Sequence, residues 1–388
     1  MRILHLGKFY PPHKGGMETV LRLLCEGTSD RVQNSVLVAN DRCVTSREVM
    51  NAVTVVRVAA AARVGAVAVC PTLPWWLARH PADIVVIHEP NPMALVAYFV
   101  VRPAGKLIVW FHSEVIRPQW RYRMFYRPFL RFVLTRADRI VVGSPTLAAA
   151  AEELQDFQQK CAVIPFGIDA GGRDAPASVE QRAETLRQQY GSPMVLFVGR
   201  FVPYKGLDVL LEALRGLRAT AVLVGDGPLR RALEARAQAL GVSERVVFAG
   251  EVDESELRAL YRACDIFVLP SVSRQEAFGL VQLEAMACSK PVVSTALPTG
   301  VPWVNQDEQT GIVVAPGDAP ALRAALARLL ANPELRAEMG IRGRQRVLVE
   351  FTTRRMSDAA VALYRDVSGP TPHDGTPSQR SSHARHAA

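Results

Sequence analysis

The sequence predicts an α/β protein of two facing halves, each a doubly wound parallel sheet. Three observations carry that expectation. Short β-branched runs alternate with longer helical patterns along most of the chain, the pattern of βα units feeding a parallel sheet. The alternation comes in two series parted by a polar segment. The length of 388 residues exceeds what one ordinary core supports, so two domains are expected.

In the first series, candidate strands fall at 3–6, 35–39, 53–58, 84–88, 107–112, 140–143 and 162–165. The helix after the first strand sets Met17, Val20, Leu21 and Leu24 on one face at helical spacing. Pro165-Phe166-Gly167-Ile168-Asp169 closes the series, and the poorly periodic stretch 170–189 reads as a linker plus a surface helix. The second series runs through 194–199, 221–225, 246–249, 266–269, 291–294 and 311–314. A final helix over 354–368 carries an apolar stripe of Met356, Ala359, Ala360, Leu363 and Tyr364. The expected division is a first domain over 1–167, a second over 168–353, and a disordered Pro/Ser/His/Gly-rich tail over 369–388.

Apolar residues make up 49% of the chain, which is ample for burial and contrary to wholesale disorder. The net charge of +9 favours an anionic partner, and on charge alone a nucleic acid, an anionic membrane and a phosphorylated small molecule are all open. No recognition motif accompanies the charge, so nucleic-acid binding is not expected. Cys25, Cys43, Cys70, Cys161, Cys264 and Cys288 are scattered with no CxxC pair. They indicate neither a zinc site nor a disulfide framework, and reduced cytosolic thiols fit best. The opening residues lack the apolar run of a signal peptide, and the longest apolar stretch, 93–101, is about half of what spans a bilayer. A cytoplasmic protein is expected, soluble or peripheral at the inner face of the plasma membrane.

The chemistry concentrates at the carboxyl ends of candidate strands, where open α/β sheets bind ligands. Glu276-Ala277-Phe278-Gly279-Leu280 precedes a helix expected from about residue 278, with Glu284 nearly two turns in. The amides of Phe278, Gly279 and Leu280 lack intrahelical partners by position and can bind a phosphate, and Gly279 leaves room for close approach. Glu276 can accept hydrogen bonds from sugar hydroxyls and Glu284 from a ribose. On a structural reading, Glu276 complements the helix dipole and Glu284 is solvated. Arg200 and Lys205, in the loop after the strand at 194–199, are two cations that can neutralise a diphosphate, unless they form a solvated basic loop. Gly15-Gly16 permits backbone approach to a ligand, or makes a simple turn. His112 closes an apolar strand, where it faces a cleft or packs as a hydrogen-bonded structural residue. Val224-Gly225-Asp226-Gly227-Pro228 begins like a dinucleotide fingerprint, but Arg230 holds its third glycine position, so hydride transfer is disfavoured. No DxD motif and no His/Asp cluster at ligand spacing occurs, so neither metal-dependent diphosphate binding nor a cofactor is expected.

Together, Glu276 and Glu284 with seven residues between them, Arg200 with Lys205, Gly15-Gly16 and His112 resemble the retaining family-four glycosyltransferases of GT-B architecture, two Rossmann-like domains about a cleft. The resemblance spans residues 1 to about 368. It implies a nucleotide-sugar donor held by the C-terminal domain and an acceptor held by the N-terminal one. Glu276 would hold sugar hydroxyls, Glu284 the ribose, and Val252 would lie by the base. Arg200, Lys205 and the amides after Glu276 would stabilise the departing diphosphate, Gly16 would approach its β-phosphate, and His112 would touch the donor sugar. The helix at 354–368 would cross back onto the N-terminal domain. Transfer would retain configuration by same-face attack without metal, since no second carboxylate is placed as a nucleophile.

The segments 88–92, 112–117 and 297–304 further resemble bacterial mannosyl- or rhamnosyltransferases of surface-polysaccharide assembly, implying a GDP-sugar donor, or a UDP-sugar in its place, and a glycan or polyprenyl-diphosphate-linked acceptor. A sugar-nucleotide epimerase or a glycosyl phosphorylase of the same fold is the competing enzyme class. A non-catalytic scaffold would be expected to lose one of the paired ionic residues. The segment 115–137 carries Arg117, Arg121, Arg123, Arg127, Arg131 and Arg136 with no acidic residue. Trp120, Tyr122, Phe125, Tyr126, Phe129 and Phe132 are interleaved. It reads as an interfacial element for an anionic membrane, although Pro118 and Pro128 argue against one unbroken helix.

Overall fold

The computed structural model describes residues 1–65, 67–115, 120, 122–169 and 176–369. The first half contains β1 (Arg2–Leu6), β2 (Gln33–Ala39), β3 (Ser46–Met50), β4 (Val53–Val58), a ribbon of β5 (Ala62–Val64) and β6 (Val67–Val69), then β7 (Ile84–Glu89), β8 (Lys106–Phe111), β9 (Arg139–Val142) and β10 (Cys161–Val163). Apart from the β5–β6 ribbon these form one sheet in the order β10-β9-β8-β7-β1-β2-β4-β3. The second half contains β11 (Met194–Val198), β12 (Thr220–Val224), β13 (Val246–Gly250), β14 (Ile266–Leu269), β15 (Val292–Thr295) and β16 (Gly311–Val314), in the order β13-β12-β11-β14-β15-β16. Every pairing in the two large sheets is parallel except β3 with β4. This is the expected pair of doubly wound sheets.

Each sheet reverses its winding beside its own first strand, between β1 and β7 and between β11 and β14. Ligand crevices of open α/β sheets form outside the carboxyl ends at such points. The loops there are those holding Gly15-Gly16 after β1, Arg200 and Lys205 after β11, and Glu276 after β14.

The sequence pattern missed β3, β5 and β6 for a physical reason. β3 is an exposed edge strand, so it has no apolar alternation, and its antiparallel pairing with β4 and the Arg57–Glu48 contact (2.7 Å) hold it. The helix expected after the linker runs over Ala177–Tyr190, and it buries Val179, Ala183 and Leu186 rather than lying wholly on the surface.

The chain passes between the halves twice, and the two crossings bind each other. Ile168 N–H donates to the Phe351 carbonyl (2.9 Å), and Thr353 N–H donates to the Ile168 carbonyl (3.0 Å). A Cβ at Gly167 would stand 2.3 Å from the Thr352 carbonyl oxygen, so glycine is required where the strands of chain touch. From there the last helix (Thr353–Ser368), capped by the Thr352 side chain, runs back over the first helix (Gly16–Thr28). Gly27 admits Ser357 at the crossing, where a Cβ would lie 2.3 Å from the Ser357 Oγ. Met356, Ala360, Tyr364 and Val367 are buried, and Arg31–Asp358 (2.5 Å) and Arg139–Asp366 (3.1 Å) tie the rim. The tail beyond Gly369 lies outside the described residues.

Because Tyr364 fills the seam between first and last helix, Tyr364→Ala should destabilise the protein by about 3–5 kcal/mol, the range for a large buried aromatic. Denaturant unfolding followed by tryptophan fluorescence measures this, and a change below about 1 kcal/mol would contradict the packing role.

Candidate active site

At the second sheet's switch point the turn after β11 is drawn onto the loop after β14. Gly206 sits in the left-handed region (φ 66°), and a Cβ there would meet the Pro270 carbonyl oxygen at 2.1 Å. Only glycine permits that approach, and it delivers Lys205 to Glu276. Lys205 Nζ donates to Glu276 Oε2 at 2.5 Å, and Ser271 Oγ donates to the same oxygen at 2.9 Å. Ser271 is itself held by Thr295, whose hydroxyl donates to its carbonyl (2.5 Å). Lys205 and Glu276 are only 8% and 7% exposed, so Lys205 is not part of a solvated basic loop. Burial opposes the Lys205 ammonium, but the Glu276 carboxylate outweighs it and holds the pKa above its ordinary value. Glu276 Oε1 has no hydrogen-bond partner among the described residues, which leaves an acceptor for an incoming hydroxyl. Arg200 lies exposed just past β11 with no ion-pair partner among the described residues.

The helix after Glu276 begins at Leu280, two residues later than expected, because Gly279 caps it in the left-handed conformation (φ 71°). A Cβ at Gly279 would meet Leu269 Cδ2 at 2.6 Å. Backbone conformation and packing on β14 therefore require this glycine, rather than an approaching anion alone. The Phe278 side chain packs among Phe166, Trp303 and Phe351. Glu284 is not solvated: Tyr261 O–H donates to its Oε2 (2.6 Å), and burial raises its pKa against the opposing effect of that bond. Val252 lies after β13, partly buried against the core, beside the Asp253 cap of the next helix (Glu254–Ala263). Gly225 backs onto the β11 loop, its would-be Cβ 2.2 Å from the Gly199 carbonyl oxygen, which accounts for the glycine of the failed fingerprint.

The first half meets this site from the other side. Gly16 opens the first helix, and a Cβ there would lie 3.8 Å from Leu280 Cδ1, so the β1 loop faces the start of the helix Leu280–Ala287. Gly15 is extended (φ 175°), a conformation open to any residue. β8 ends at Phe111, so His112 stands one residue past the strand, its N–H bound to the Glu89 carbonyl (3.0 Å). Its ring stacks on Phe166 (5.2 Å), and Phe166 in turn meets Phe278 (4.8 Å), joining the two halves through an aromatic column. Arg274 reaches across to Glu114 (2.7 Å) and to the Ala150 carbonyl (2.6 Å).

Sequence reasoning missed Tyr261, Ser271, Arg274 and two buried histidines behind His112. His5 Nδ1 lies 3.0 Å from His88 Nε2, and His88 Nδ1 lies 2.9 Å from His112 Nε2. The structural reading of His112 holds, since its ring is buried and hydrogen-bonded to His88. Burial brings the pKa of His112 down to about 3 and that of His5 down to about 4. Glu89, at the end of β7, is pushed up to about 7 by burial, against a hydrogen bond from the Tyr126 hydroxyl. Among the described residues no three His, Cys, Asp or Glu side chains group as a metal-ligand set.

Comparison with known proteins follows the same division of the chain. The family described as "Glycosyltransferase Family 4" matches residues 14–171, and "Glycosyl transferases group 1" matches residues 180–346. The chain is 32% identical over 379 residues to O-antigen chain mannosyltransferase C of Escherichia coli, covering 94% of this chain and 98% of that one. It is 37% identical over 271 residues to D-rhamnosyltransferase WbpZ of Pseudomonas aeruginosa, covering 70% of each. Among solved structures, Anabaena HepE in complex with UDP-glucose superposes with a TM-score of 0.75 at 22% identity, over 94% of this chain and 99% of that one.

The buried pair sets a test. Lys205→Met leaves the Glu276 carboxylate buried and unpaired, which should cost about 3–5 kcal/mol, and Lys205→Met/Glu276→Leu should recover most of it. The Lys205 pKa is raised on folding, so its contribution is complete below the ordinary value of 10.5 and is lost as pH rises through the folded value. Urea unfolding at neutral pH reads both variants. Equal losses in the single and double variants would show that the pair is not coupled.

Proposed function

This chain belongs to the glycosyltransferases of family 4, and from that premise we propose that it moves a hexose, mannose or rhamnose by preference, from a nucleotide sugar onto a glycan or polyprenyl-diphosphate-linked acceptor in surface-polysaccharide synthesis. One observation carries the reading: the buried Lys205–Glu276 pair lies with unpaired Arg200 at one sheet's switch point, opposite the Gly15-Gly16 loop of the other. In this reading Arg200, Lys205 and the amides around Leu280 stabilise the diphosphate as it leaves. Glu276 Oε1 takes a sugar hydroxyl, Glu284 the ribose, and Val252 borders the base.

The bond from the sugar's anomeric carbon to the diphosphate oxygen breaks, and the acceptor oxygen bonds that carbon on the same face. The acceptor's hydroxyl proton passes to the leaving diphosphate, and attack on the same face retains the configuration. Fixed cations perform the neutralisation here, so we propose that no metal is needed. GDP is the favoured nucleotide because the two relatives are named for mannosyl and D-rhamnosyl transfer; UDP is the alternative. An epimerase reading would need acid and base groups on both faces of one sugar, and His112 and Glu276 are accounted for as a neutral imidazole and an ion-paired carboxylate.

GDP-mannose should raise the melting temperature more than UDP-glucose does, since a ligand of the native state stabilises it. Transfer should persist in excess EDTA. Lys205→Ala and Glu276→Ala should each lower turnover by about 10²-fold, as for loss of a preorganised electrostatic group. A Mn²⁺ or Mg²⁺ requirement, or near-normal transfer by either variant, would overturn this assignment.

We also propose that the first half rests on an anionic membrane, through a surface made of part of the segment 115–137 and the exposed residues beside it. No described helix is long and apolar enough to cross a bilayer. Residues 122–126 form a π turn and Arg127–Arg136 a separate helix, in keeping with the break expected at Pro128. Phe129 and Phe132 are not anchors, because both pack against Phe99 of the helix Pro92–Val101. Arg127 and Arg131 are taken up by Glu153 (3.3 Å) and Asp156 (2.9 Å). Arg117 and Arg121 lie outside the described residues. Of that segment Trp120, Arg123, Met124, Phe125 and Arg136 remain exposed, and beside them stand Trp75, Phe99 and Val100, with Arg79 over Trp75 (4.3 Å) and Arg102 over Phe99 (5.3 Å). Aromatic groups with adjoining guanidiniums suit a headgroup layer. Each cation near the surface contributes about 1 kcal/mol, so attachment should be reversible and weakened by salt. Sedimentation with anionic vesicles should therefore be lost in Phe99→Ser/Phe125→Ser and at high salt. Unchanged pelleting of that variant would remove this surface.

A further inference from the structure

The histidine string crosses four adjacent strands. Asn34 lies on β2, His5 on β1, His88 on β7, and His112 just past β8, which is the order of those strands in the sheet. The register shows each step climbing toward the carboxyl edge: Asn34 pairs with Ile3, His5 with Val86, and His88 with Trp110. Each group thus stands two residues further up than its neighbour's partner, on the same face of the pleat.

We propose that Asn34, His5 and His88 are positioning residues that fix His112 as its Nε2–H tautomer, leaving Nδ1 as a hydrogen-bond acceptor toward the cleft that selects a sugar hydroxyl and rejects an oxyanion. The inference rests on the reading of His112 as a contact to the donor sugar.

The direction of the string is set at its far end by backbone carbonyls, which can only accept. Thr28 Oγ1 donates to the Leu24 carbonyl (2.8 Å), so toward Asn34 it is an acceptor. Asn34 Nδ2 donates to the Cys25 carbonyl (2.8 Å) and to Thr28 Oγ1 (2.9 Å). A flipped amide would set its oxygen against both, so the Asn34 orientation is determined. Asn34 Oδ1 then faces His5 Nε2 at 3.3 Å, and only a protonated Nε2 satisfies it. A neutral His5 consequently has a bare Nδ1, which accepts from His88 Nε2–H. His88 has a bare Nδ1, which accepts from His112 Nε2–H. Nothing among the described residues hydrogen-bonds His112 Nδ1.

The alternation needs every ring neutral, because an imidazolium donates from both nitrogens. Burial supplies that condition: it lowers the pKa of all three rings, and for His88 the neighbouring His112 and His5 lower it further. The ligand group meeting Nδ1 must then bring its own proton. A hydroxyl does, whereas a phosphate or carboxylate oxygen would face a lone pair.

The test is ring-nitrogen NMR of the full chain labelled with ¹⁵N-histidine, which reports the protonated nitrogen of each imidazole. At neutral pH, His112 should show protonated Nε2 and bare Nδ1. In His5→Leu, two rings away, and in His88→Leu, the His112 signals should shift toward a mixture of tautomers. Donor kcat/KM should fall about tenfold, the worth of one hydrogen bond. A merely structural role for His5 would not move the His112 tautomer. Protonated Nδ1 on His112 in the wild type, or an unmoved tautomer in both variants, overturns the proposal. If the NMR pattern is as expected but His112→Leu transfers at the wild-type rate, the string's direction is supported and the sugar contact is what fails.

Discussion

The paired crossings at Ile168 and at 351–353 are the constraint on which the site depends. Neither half holds all of the candidate groups. Gly16 and His112 come from the first sheet, and Arg200, Lys205, Glu276 and Leu280 from the second. Their meeting requires the two carboxyl edges to face each other, and the crossings fix that relation. Gly167 admits the Thr352 carbonyl, two backbone hydrogen bonds lock the crossings together, and the aromatic column His112–Phe166–Phe278–Phe351 grows from that point across both cores. Packing and site geometry are thus one problem here, because Phe166, just before the first crossing, also stacks on the His112 imidazole.

Two electrostatic strategies stand on opposite walls. The second half keeps a charge pair out of water by close contact and an added hydroxyl donor, which is what buried ions require. The first half keeps three imidazoles uncharged by burial and satisfies each with its neighbour. One wall therefore holds a fixed charge pair and the other a string of neutral hydrogen-bonded rings.

Much of this was legible in the sequence. β-branched runs of four to six residues marked the strands, and loops rich in Gly, Pro and charge marked their carboxyl ends, so Arg200, Lys205, Gly15-Gly16 and Glu276 were found without knowing the sheet order. What escaped depends on that order. His5 and His88 belong with His112 only because β1, β7 and β8 are neighbours, and no local spacing encodes that. Tyr261 escaped because its hydroxyl reaches Glu284 from a different helix, 23 residues away in sequence. Gly279 was found, but for an incomplete reason: its left-handed cap and its contact with Leu269 appear only when the helix start is known. Within the aromatic-arginine segment, helical spacing alone cannot tell Phe129, packed on Phe99, from Phe125, which is exposed.

The return of the last helix over the first has a consequence for biogenesis. The second sheet has its full set of strands once residue 314 is made, but the first half lacks the cover for its first helix until Thr353–Ser368 has left the ribosome. At typical elongation rates the roughly 190 residues between the two crossings take about 10–40 s to make. Through that interval the half made earliest exposes the apolar stripe that Met356, Ala360 and Tyr364 later cover. The portion synthesised first is therefore finished last, and it is the portion for which a nascent-chain chaperone has the longest opportunity to bind.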